Sequence, residues 1–312
     1  MSPAHRGSSK SDSGLWSGGV TLGTTAKGMT IERRSPNRPE FVAGWHKTIG
    51  GNPSEAELGP DAQQIDHIDI WLAHPDCLLR AHSCLKLLTQ EDWAVLGRIR
   101  DTSIRQSAMA TRILLRLGLS RAVDRRIAPA DWQFKTIAHG KPTVADDFPE
   151  IKFNVSHVDR LAAVAISPHL EIGIDVESVD QNVSEDVVAG FSHSDEKTAL
   201  RNLLPRQKVR EFIRLWTFKE AFTKMIGTGI SPDFNTIQFM LDPVQLESVG
   251  DSRKEKRSTH FESIYVSIEH SLYHVSLAIE HPEGRWLPTE VRIISLAEPK
   301  GASVSSCAPK FG

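Results

Sequence analysis

The sequence predicts an α+β protein built from two similar halves in one chain. Three observations support this prediction. Short segments alternate apolar with polar residues, longer segments carry apolar residues at helical spacing, and the two kinds of segment follow the same order twice. Each half is expected to run strand, helix, strand pair. We place the N-terminal half at 65–170 and the C-terminal half at 171–298.

The elements of the first half begin at IDHIDIWLA (65–73), where isoleucine and leucine alternate with other residues and predict a strand. Helical spacing follows at about 90–99 and is stronger over 101–119, where Gly118 is expected to end the helix. The segment HGKP (139–142) is typical of a turn. The segments IKFNVSH and LAAVAIS, separated by VDR, predict a hairpin.

The second half repeats this order. EIGIDVE (171–177) predicts a strand, and helical segments follow at about 194–203 and 207–226, the second ended by GTG. SIYVSIE (263–269) and LYHVSLAIE (272–280) alternate cleanly and predict a strand pair. A site shared by two such halves is expected in the cleft between them. A chance repetition of a common arrangement is the alternative.

The two ends of the chain are expected to lie outside the folded halves. Residues 1–64 are rich in glycine and serine and have no sustained apolar periodicity, so we expect a mostly disordered or loosely attached leader. A start codon set too far upstream, or added sequence, is the alternative. Residues 299–312 are expected to form a short tail.

Composition and charge argue against several function classes. The 312 residues include 37 basic and 39 acidic side chains, a balance that indicates neither nucleic acid nor a membrane as partner. No apolar run approaches the roughly 20 residues of a membrane-spanning helix, and the N-terminus lacks the apolar core of a signal peptide. The three cysteines have no metal-ligand spacing, which is typical of reduced thiols and predicts a cytoplasmic protein.

Asp175 and Glu177 lie in the middle of the apolar strand EIGIDVE and share one of its faces. Two like charges about 6.6 Å apart along a strand repel each other, and a cation between them removes the repulsion. Mg²⁺ suits this position because it binds a few carboxylates and fills its remaining sites with water and phosphate oxygens. A solvated polar strand face is the alternative.

The helical segment RLWTFKEAFTKMIGTG (214–229) offers a third carboxylate. Trp216, Glu220 and Lys224 follow at i, i+4 and i+8 and form one line along the helix. In the functional interpretation, Glu220 lies beside the metal and Lys224 contacts a phosphate. In the alternative, they form an exposed Glu–Lys pair worth about 0.2–0.5 kcal/mol.

Two further groups of residues suit phosphate binding. The first consists of three arginines at spacings of seven and four, which share one helix face: Arg105, Arg112 and Arg116. A solvated basic face is the commoner explanation for such a pattern.

The second group lies on predicted turns. HGKP offers His139 and Lys141, and FNVSH ends with Ser156 and His157 at the hairpin. A histidine in a hairpin more often makes structural hydrogen bonds than it contacts a ligand. The functional role of this group therefore depends on the motifs around it.

Together, HGKP, FNVSH, GIDVE and WTFKEAFTKMIGTG resemble the Sfp-type 4′-phosphopantetheinyl transferases in identity, order and spacing. The resemblance covers about 65–295 and leaves out the leader. It implies the fold of that family, in which two pseudo-equivalent α+β halves hold coenzyme A and Mg²⁺ in the cleft between them. It also implies transfer of the phosphopantetheine arm of coenzyme A to a serine of an apo acyl or peptidyl carrier protein, with release of adenosine 3′,5′-bisphosphate.

The resemblance implies roles for the candidate residues. Asp175, Glu177 and Glu220 would bind Mg²⁺, and Glu220 would act as general base, directly or through a metal-bound water. Asp175 and Lys224 complete the catalytic set. Contacts to coenzyme A are implied for Arg105, Arg112, Lys141, Ser156, His157, Lys219 and Lys224. The segment FSHSDEKTAL (191–200) is interpreted as structural.

The segment 201–224 is the candidate docking surface for the carrier. Its seven basic and two acidic residues give 7 − 2 = +5 in a nearly neutral chain. Such a patch would attract an acidic carrier, although a solvated charged helix face is the alternative. Because the second half completes the cleft within the same chain, a monomer is expected.

Two other functions could use the same residues. A magnesium-dependent phosphohydrolase or nucleotidyl transferase would need no carrier. A non-catalytic carrier-binding module would have lost its transferase site, but every expected acidic and lysine position is occupied, which argues against such a loss.

Overall fold

The computed structural model describes residues 19–25, 29–34, 66–137, 140–228, 234–241, 244–250, 258–281 and 289–296. The helices of these ranges are α1 (Pro75–Leu79), α2 (His82–Leu85), α3 (Gln90–Leu96), α4 (Thr102–Ala122), α5 (Glu185–Phe191), α6 (Ser194–Arg201) and α7 (Pro205–Ile226). Among the helices described, none combines the length and the apolar character that crossing a membrane requires.

The strands fall into a five-stranded sheet, a four-stranded sheet and two strand pairs. They are β1 (Gly19–Thr25), β2 (Met29–Arg34), β3 (Asp66–Ala73), β4 (Phe134–Thr136), β5 (Pro142–Val144), β6 (Lys152–Val158), β7 (Leu161–Ser167), β8 (Ile172–Ser178), β9 (Ile237–Leu241), β10 (Val244–Val249), β11 (Ser258–Ile268), β12 (Ser271–His281) and β13 (Thr289–Leu296). A 3-10 turn at Phe234–Thr236 precedes β9.

The same arrangement of strands and helix is found twice. In the first half, β7 lies between β3 and β6 and is antiparallel to both, and α4 packs on this sheet. In the second half, β12 lies between β8 and β11 in the same way, and α7 packs on that sheet. The predicted fold class, two pseudo-equivalent α+β halves, is confirmed.

Extra strands extend each sheet beyond the repeated unit. β13 lies parallel to β3, so a strand from the predicted C-terminal half joins the sheet of the N-terminal half. β2 pairs with β11, and β1 pairs with β2. The first sheet therefore takes a strand from the C-terminal half, and the second sheet takes two strands from the predicted leader, so a boundary drawn along the sequence does not separate the two sheets.

The predicted leader differs from the structure at β1 and β2. Met29 is buried in the core against the second sheet, so this segment of the predicted leader is attached to the fold. The alternation in MTIERR is only six residues long, and glycine-rich sequence surrounds it. The other residues of 1–64, and all of 299–312, lie outside the described residues.

One apolar core lies between the two sheets, and each long helix covers the other face of one sheet. On β8, Ile172, Ile174 and Val176 belong to the shared core. The alternate residues of β8 therefore face α7, as the period of two predicts. This alternation places both strand carboxylates beneath a helix.

The seam between the halves lies between β6 and β8, each an edge strand of its own sheet. Side chains of β6 bond to the backbone of β8: Ile174 N donates to Asn154 Oδ1 at 2.9 Å, and Val176 N donates to Ser156 Oγ at 3.4 Å. The residues of FNVSH are thereby held beside GIDVE. The sequence motifs of the two halves meet at this seam.

Helix ends agree with the predicted ranges to within a few residues, except at Gly118. There α4 continues to Ala122, so the expected stop is wrong. A Cβ on Gly118 would lie 2.4 Å from Ile166 Cδ1 and 3.1 Å from Trp71 Nε1, so the glycine serves close packing of the helix on its sheet. At the end of α7, Gly227 has the left-handed backbone (φ +75°) predicted for a helix stop.

Gly173 allows a similar close approach in the second half. A Cβ on this strand residue would lie 1.9 Å from the carbonyl oxygen of Ala221 and 2.5 Å from Met225 N. The backbone of α7 therefore lies directly on β8. This contact brings the side chains of α7 within reach of the strand carboxylates.

Gly173→Ala is expected to lower the free energy of unfolding by about 3 kcal/mol or more, because the new methyl group meets backbone atoms that cannot rotate away. The control is Gly190→Ala in α5, where a Cβ meets nothing within 4 Å. There, alanine should raise stability by about 0.5–1 kcal/mol. Urea-induced unfolding measures both, and equal stability of the two variants would contradict the packing argument.

Candidate active site

Three acidic side chains lie where α7 packs on β8. Asp175 and Glu177 belong to β8 and Glu220 to α7, and only 3% of Asp175 and 5% of Glu220 is exposed. Trp216 and Lys224, four residues before and after Glu220 on α7, bond to Glu177 and Asp175 respectively. The structure thus brings the three predicted acids together.

Asp175 is bound by residues from both halves. Lys224 Nζ of α7 lies 2.6 Å from Asp175 Oδ1, and Ser156 Oγ of β6 donates to the same oxygen at 2.9 Å. Lys224 Nζ also donates to Ser156 Oγ at 3.1 Å. The other carboxylate oxygen, Asp175 Oδ2, is buried and has no hydrogen-bond partner among the described residues.

The predicted line of residues on α7 faces these acids. Trp216 Nε1 donates to Glu177 Oε1 at 3.2 Å, and Gln181 Nε2 donates to Glu177 Oε2 at 3.1 Å. Further along the line, Glu220 is buried and Lys224 donates to Asp175. The alternative of an exposed Glu220–Lys224 pair is therefore wrong.

Burial raises the pKa of both glutamates. The pKa of Glu220 is about 7, because burial and then the charges of Asp175 and Glu177 disfavour its ionised form. The pKa of Glu177 is also raised to about 7, by burial and then by Asp175. Near neutral pH these two carboxyls are therefore partly protonated.

The donor atoms of the cluster fit Mg²⁺, which prefers carboxylate oxygens. Asp175 Oδ2 and Glu220 Oε1 are both buried without a hydrogen-bond partner in the described part of the chain, and a divalent cation would satisfy them. Among the described residues, however, no three histidine, cysteine, aspartate or glutamate side chains form a set that could hold a metal ion as they stand. In this arrangement Asp175 Oδ1 and both oxygens of Glu177 already accept hydrogen bonds.

His157 lies next to Ser156 on β6 and is influenced by cations from both halves. Burial, and then the charges of Lys224 and Arg112, lower its pKa to about 4. The imidazole is therefore neutral near pH 7, and cations of α4 and α7, Arg112 and Lys224, both act on it. Such a group of donors and cations suits an anion.

The arginines of α4 have different roles. Arg112 is partly exposed and donates to Asp92 at 3.1 Å. Arg116 is buried, and its contacts to Asp92 and to the carbonyl of Trp132 make it structural. Arg105 donates to Ile99 O and Thr102 Oγ1 near the start of α4, and its coenzyme contact stays a prediction.

The prediction that Lys219 contacts a phosphate is wrong. Its side chain is 1% exposed, and its ammonium group donates to Glu196 at 2.7 Å and to the carbonyls of Phe191 and Phe234, each at 3.0 Å. These three contacts use all of its N–H donors. Glu196 also accepts from Phe239 N at 2.8 Å, so the segment 191–200 is structural, as interpreted from the sequence.

Two other predicted coenzyme contacts make different contacts in the structure. Lys141 donates to Met225 O at 2.9 Å and to Glu171 at 3.2 Å, so it attaches the turn of the first half to the C-terminal end of α7. Ser156, also expected to contact coenzyme A, donates to Asp175. His139 lies outside the described residues.

Sequence reasoning missed a buried polar group beside the acids. His274 Nδ1 and Ser276 Oγ of β12 lie 2.6 and 2.8 Å from Thr217 Oγ1 of α7. In the strand register, Ser276 is opposite Asp175 and His274 is opposite Glu177. The alternation of LYHVSLAIE, which puts His274 and Ser276 on one face, was the available signal.

Comparisons with known proteins match both halves of the chain. A family described as "4′-phosphopantetheinyl transferase superfamily" matches residues 171–278, and one described as "4′-phosphopantetheinyl transferase, N-terminal" matches residues 70–169. The two matches meet between β7 and β8. They therefore follow the duplication seen in the fold.

Curated relatives extend this similarity. HetI, a 4′-phosphopantetheinyl transferase of Nostoc sp., is 30% identical over 186 residues, which are 58% of this chain and 76% of the relative. The L-aminoadipate-semialdehyde dehydrogenase-phosphopantetheinyl transferase of Xenopus laevis is 26% identical over 63% of this chain and 69% of its own length. The 4′-phosphopantetheinyl transferase gsp of Aneurinibacillus migulanus is 35% identical over 39% of this chain, which spans only 49% of that relative.

Without divalent cations, Glu220→Gln should gain stability relative to the wild type as the pH rises from about 5 to about 8. The folded pKa of Glu220 is about 7 against an ordinary 4.5, so the folded state binds more protons than the unfolded state between these values. The free energy of unfolding of the wild type therefore falls across this window, while glutamine cannot titrate. Contributions common to both proteins, such as that of His157, largely cancel in the difference.

The measurement is urea-induced unfolding in EDTA at several pH values. Glu211→Gln, a change of the same kind at a partly exposed ion pair of α7, is the matched control. A difference between the wild type and Glu220→Gln that stays constant with pH would show that Glu220 is not held in a raised-pKa environment.

Proposed function

The chain belongs to the 4′-phosphopantetheinyl transferase superfamily, and we propose that it transfers the phosphopantetheine arm of coenzyme A to a serine of an apo acyl or peptidyl carrier protein. The main support is the cluster at the seam formed by the buried Asp175 and Glu220 and the half-buried Glu177, with cations from both halves beside it. A buried group of acids with unpaired oxygens is costly to fold and is typical of a functional site.

The proposal assigns Mg²⁺ to Asp175, Glu177 and Glu220. The unpaired buried atoms Asp175 Oδ2 and Glu220 Oε1 support this assignment, because both lack the partner that a cation would supply. When bound, Mg²⁺ offsets negative charge on the phosphates under attack and on the leaving group. The protein's contribution is to hold the three acids together in a largely buried place.

The phosphates of coenzyme A are assigned to the group around His157. Lys224 and Arg112 are close enough to lower the pKa of His157, so an anion bound there would meet charge from α4 and α7 together. Such an anion would also favour the protonated imidazole. Arg105, two turns before Arg112 on α4, is a further candidate for the same ligand.

In the proposed transfer, the carrier serine oxygen forms a bond to the phosphorus that bears the pantetheine arm. The bond from that phosphorus to the adenosine bisphosphate breaks, and its electron pair leaves with adenosine 3′,5′-bisphosphate. The serine proton goes to Glu220, whose Oε1 has no hydrogen-bond partner among the described residues, either directly or through water. A cytoplasmic location and a monomeric enzyme stay predictions.

The docking surface is smaller than the sequence predicts. Four of the seven basic residues in 201–224 form ion pairs within the chain: Lys208 with Glu185, Arg214 with Glu211, Lys219 with Glu196 and Lys224 with Asp175. The other three, Arg201, Arg206 and Arg210, are exposed near the start of α7. Leu204, 68% exposed, lies among them in the sequence. We assign an acidic carrier to this smaller patch.

The chain should add a phosphopantetheine-sized mass to an apo acyl carrier protein in the presence of coenzyme A and Mg²⁺, as measured by mass spectrometry. Cleavage of coenzyme A without a gain on the carrier would instead indicate a hydrolase, and binding without either change would indicate a non-catalytic module.

Asp175→Ala should abolish the transfer, and Glu220→Gln should lower kcat by about 10²-fold. Glu211→Gln, on the same helix, should leave kcat within about twofold.

Arg210→Gln should raise the KM for the carrier by about threefold to tenfold at low ionic strength and leave the KM for coenzyme A nearly unchanged. The effect should shrink as salt is added, because an exposed charge is screened. Lys208→Gln removes the same charge two residues away on α7, from a residue already paired with Glu185, and should change the carrier KM less. Equal effects of the two variants, or equal salt dependence for both substrates, would remove Arg210 from the docking surface.

A further inference from the structure

We propose that Lys224 acts as an internal cation in the ligand-free enzyme, holding the place beside Asp175 until the phosphates of coenzyme A draw it away. This inference rests on the proposed function, because it concerns the same acids and the same co-substrate. It assigns Lys224 a second role before any phosphate is bound. The consequence is that metal and coenzyme A bind cooperatively, and that metal alone binds weakly.

The geometry at the seam carries this proposal. The Lys224 ammonium lies 2.6 Å from Asp175 Oδ1 and 3.1 Å from Ser156 Oγ, and Ser156 Oγ donates to the same carboxylate oxygen at 2.9 Å. One buried oxygen therefore holds a lysine from α7 and a serine from β6. A second cation on Asp175 would have to displace this arrangement or share the carboxylate with it.

Sharing is unfavourable because the two positive charges would repel each other at short range in a largely buried place. Asp175 is nearly inaccessible, whereas 27% of the Lys224 side chain is exposed. Lysine also has a flexible stem of four carbons. Lys224 is therefore the partner that can move, and Asp175 is the one that stays.

The proposed phosphate site beside His157 is the place to which Lys224 would move. Lys224 Nζ lies 3.1 Å from Ser156 Oγ, whose residue precedes His157 on β6, so a phosphate bound beside that imidazole would attract the ammonium away from Asp175. Asp175 Oδ1 would then be available together with Oδ2 and Glu220 Oε1, which lack hydrogen-bond partners among the described residues. Each ligand would lower the cost of binding the other, which is positive coupling between two sites.

The test is the affinity of the full chain for Mn²⁺, a hard divalent probe, measured without coenzyme A from the electron paramagnetic resonance signal of free Mn²⁺. Lys224→Met removes the competing charge and should bind Mn²⁺ about tenfold more tightly than the wild type. Lys224→Gln keeps a neutral donor beside Asp175 and should also gain, which protects the test if the methionine variant does not fold. Lys224→Arg keeps the charge and should gain nothing.

Arg112→Gln is the matched control, because it removes a cation that also acts on His157 and that donates to Asp92 rather than to Asp175. It should tighten Mn²⁺ binding by less than about threefold. If Arg112→Gln tightened Mn²⁺ binding as much as the neutral Lys224 variants do, long-range charge alone would explain the effect, and the proposal would be overturned.

The two levels of inference fail in different ways. If the neutral Lys224 variants bind Mn²⁺ no more tightly, while the wild type binds it in the presence of coenzyme A, the internal-cation role is wrong and the proposed function stands. If no protein binds Mn²⁺ even with coenzyme A present, the metal assignment fails, and the role of Lys224 fails with it.

Discussion

The close contact between α7 and β8 is the constraint on which the rest of the site depends. Gly173 leaves room for the carbonyl of Ala221, so the helix lies directly on the strand that carries Asp175 and Glu177. Glu220 is thereby buried beside them rather than exposed on a helix surface. A larger residue at 173 would push the helix away and separate the acids. The packing of one glycine therefore decides whether three like charges meet.

Bringing these acids together is unfavourable in itself, and the chain offsets the cost in two ways. Lys224 supplies one positive charge to Asp175, and the raised pKa values of Glu177 and Glu220 allow both to carry a proton near neutral pH. Neither device satisfies every buried oxygen among the described residues. The cluster of acids still lacks positive charge. Binding of a divalent cation and displacement of Lys224 are therefore linked.

The parts of the fold and site that the sequence predicted are those encoded by local periodicity. A period of two put Asp175 on a helix-covered strand face, and the i, i+4 spacing put Glu220 on the line that faces it. Lys219 was mispredicted because it is adjacent to Glu220 on α7, and adjacent side chains on a helix point about 100° apart. Its acceptors, on Glu196 and Phe234, are also distant from it in the sequence. Gly118 and the strand Met29–Arg34 likewise depend on partners that no local pattern reveals.

The extra strands explain why a duplicated chain has one seam of this kind rather than two. By the duplication, β6 corresponds to β11 and β8 corresponds to β3. A second seam would therefore require β11 and β3 to meet, but β2 covers the free edge of β11 and β13 covers that of β3. Among the described strands, β6 and β8 are the edges that face each other, so the donors of FNVSH and the acids of GIDVE meet there. The two halves are therefore alike in fold, but β2 and β13 cover the edges at which a second such site would form.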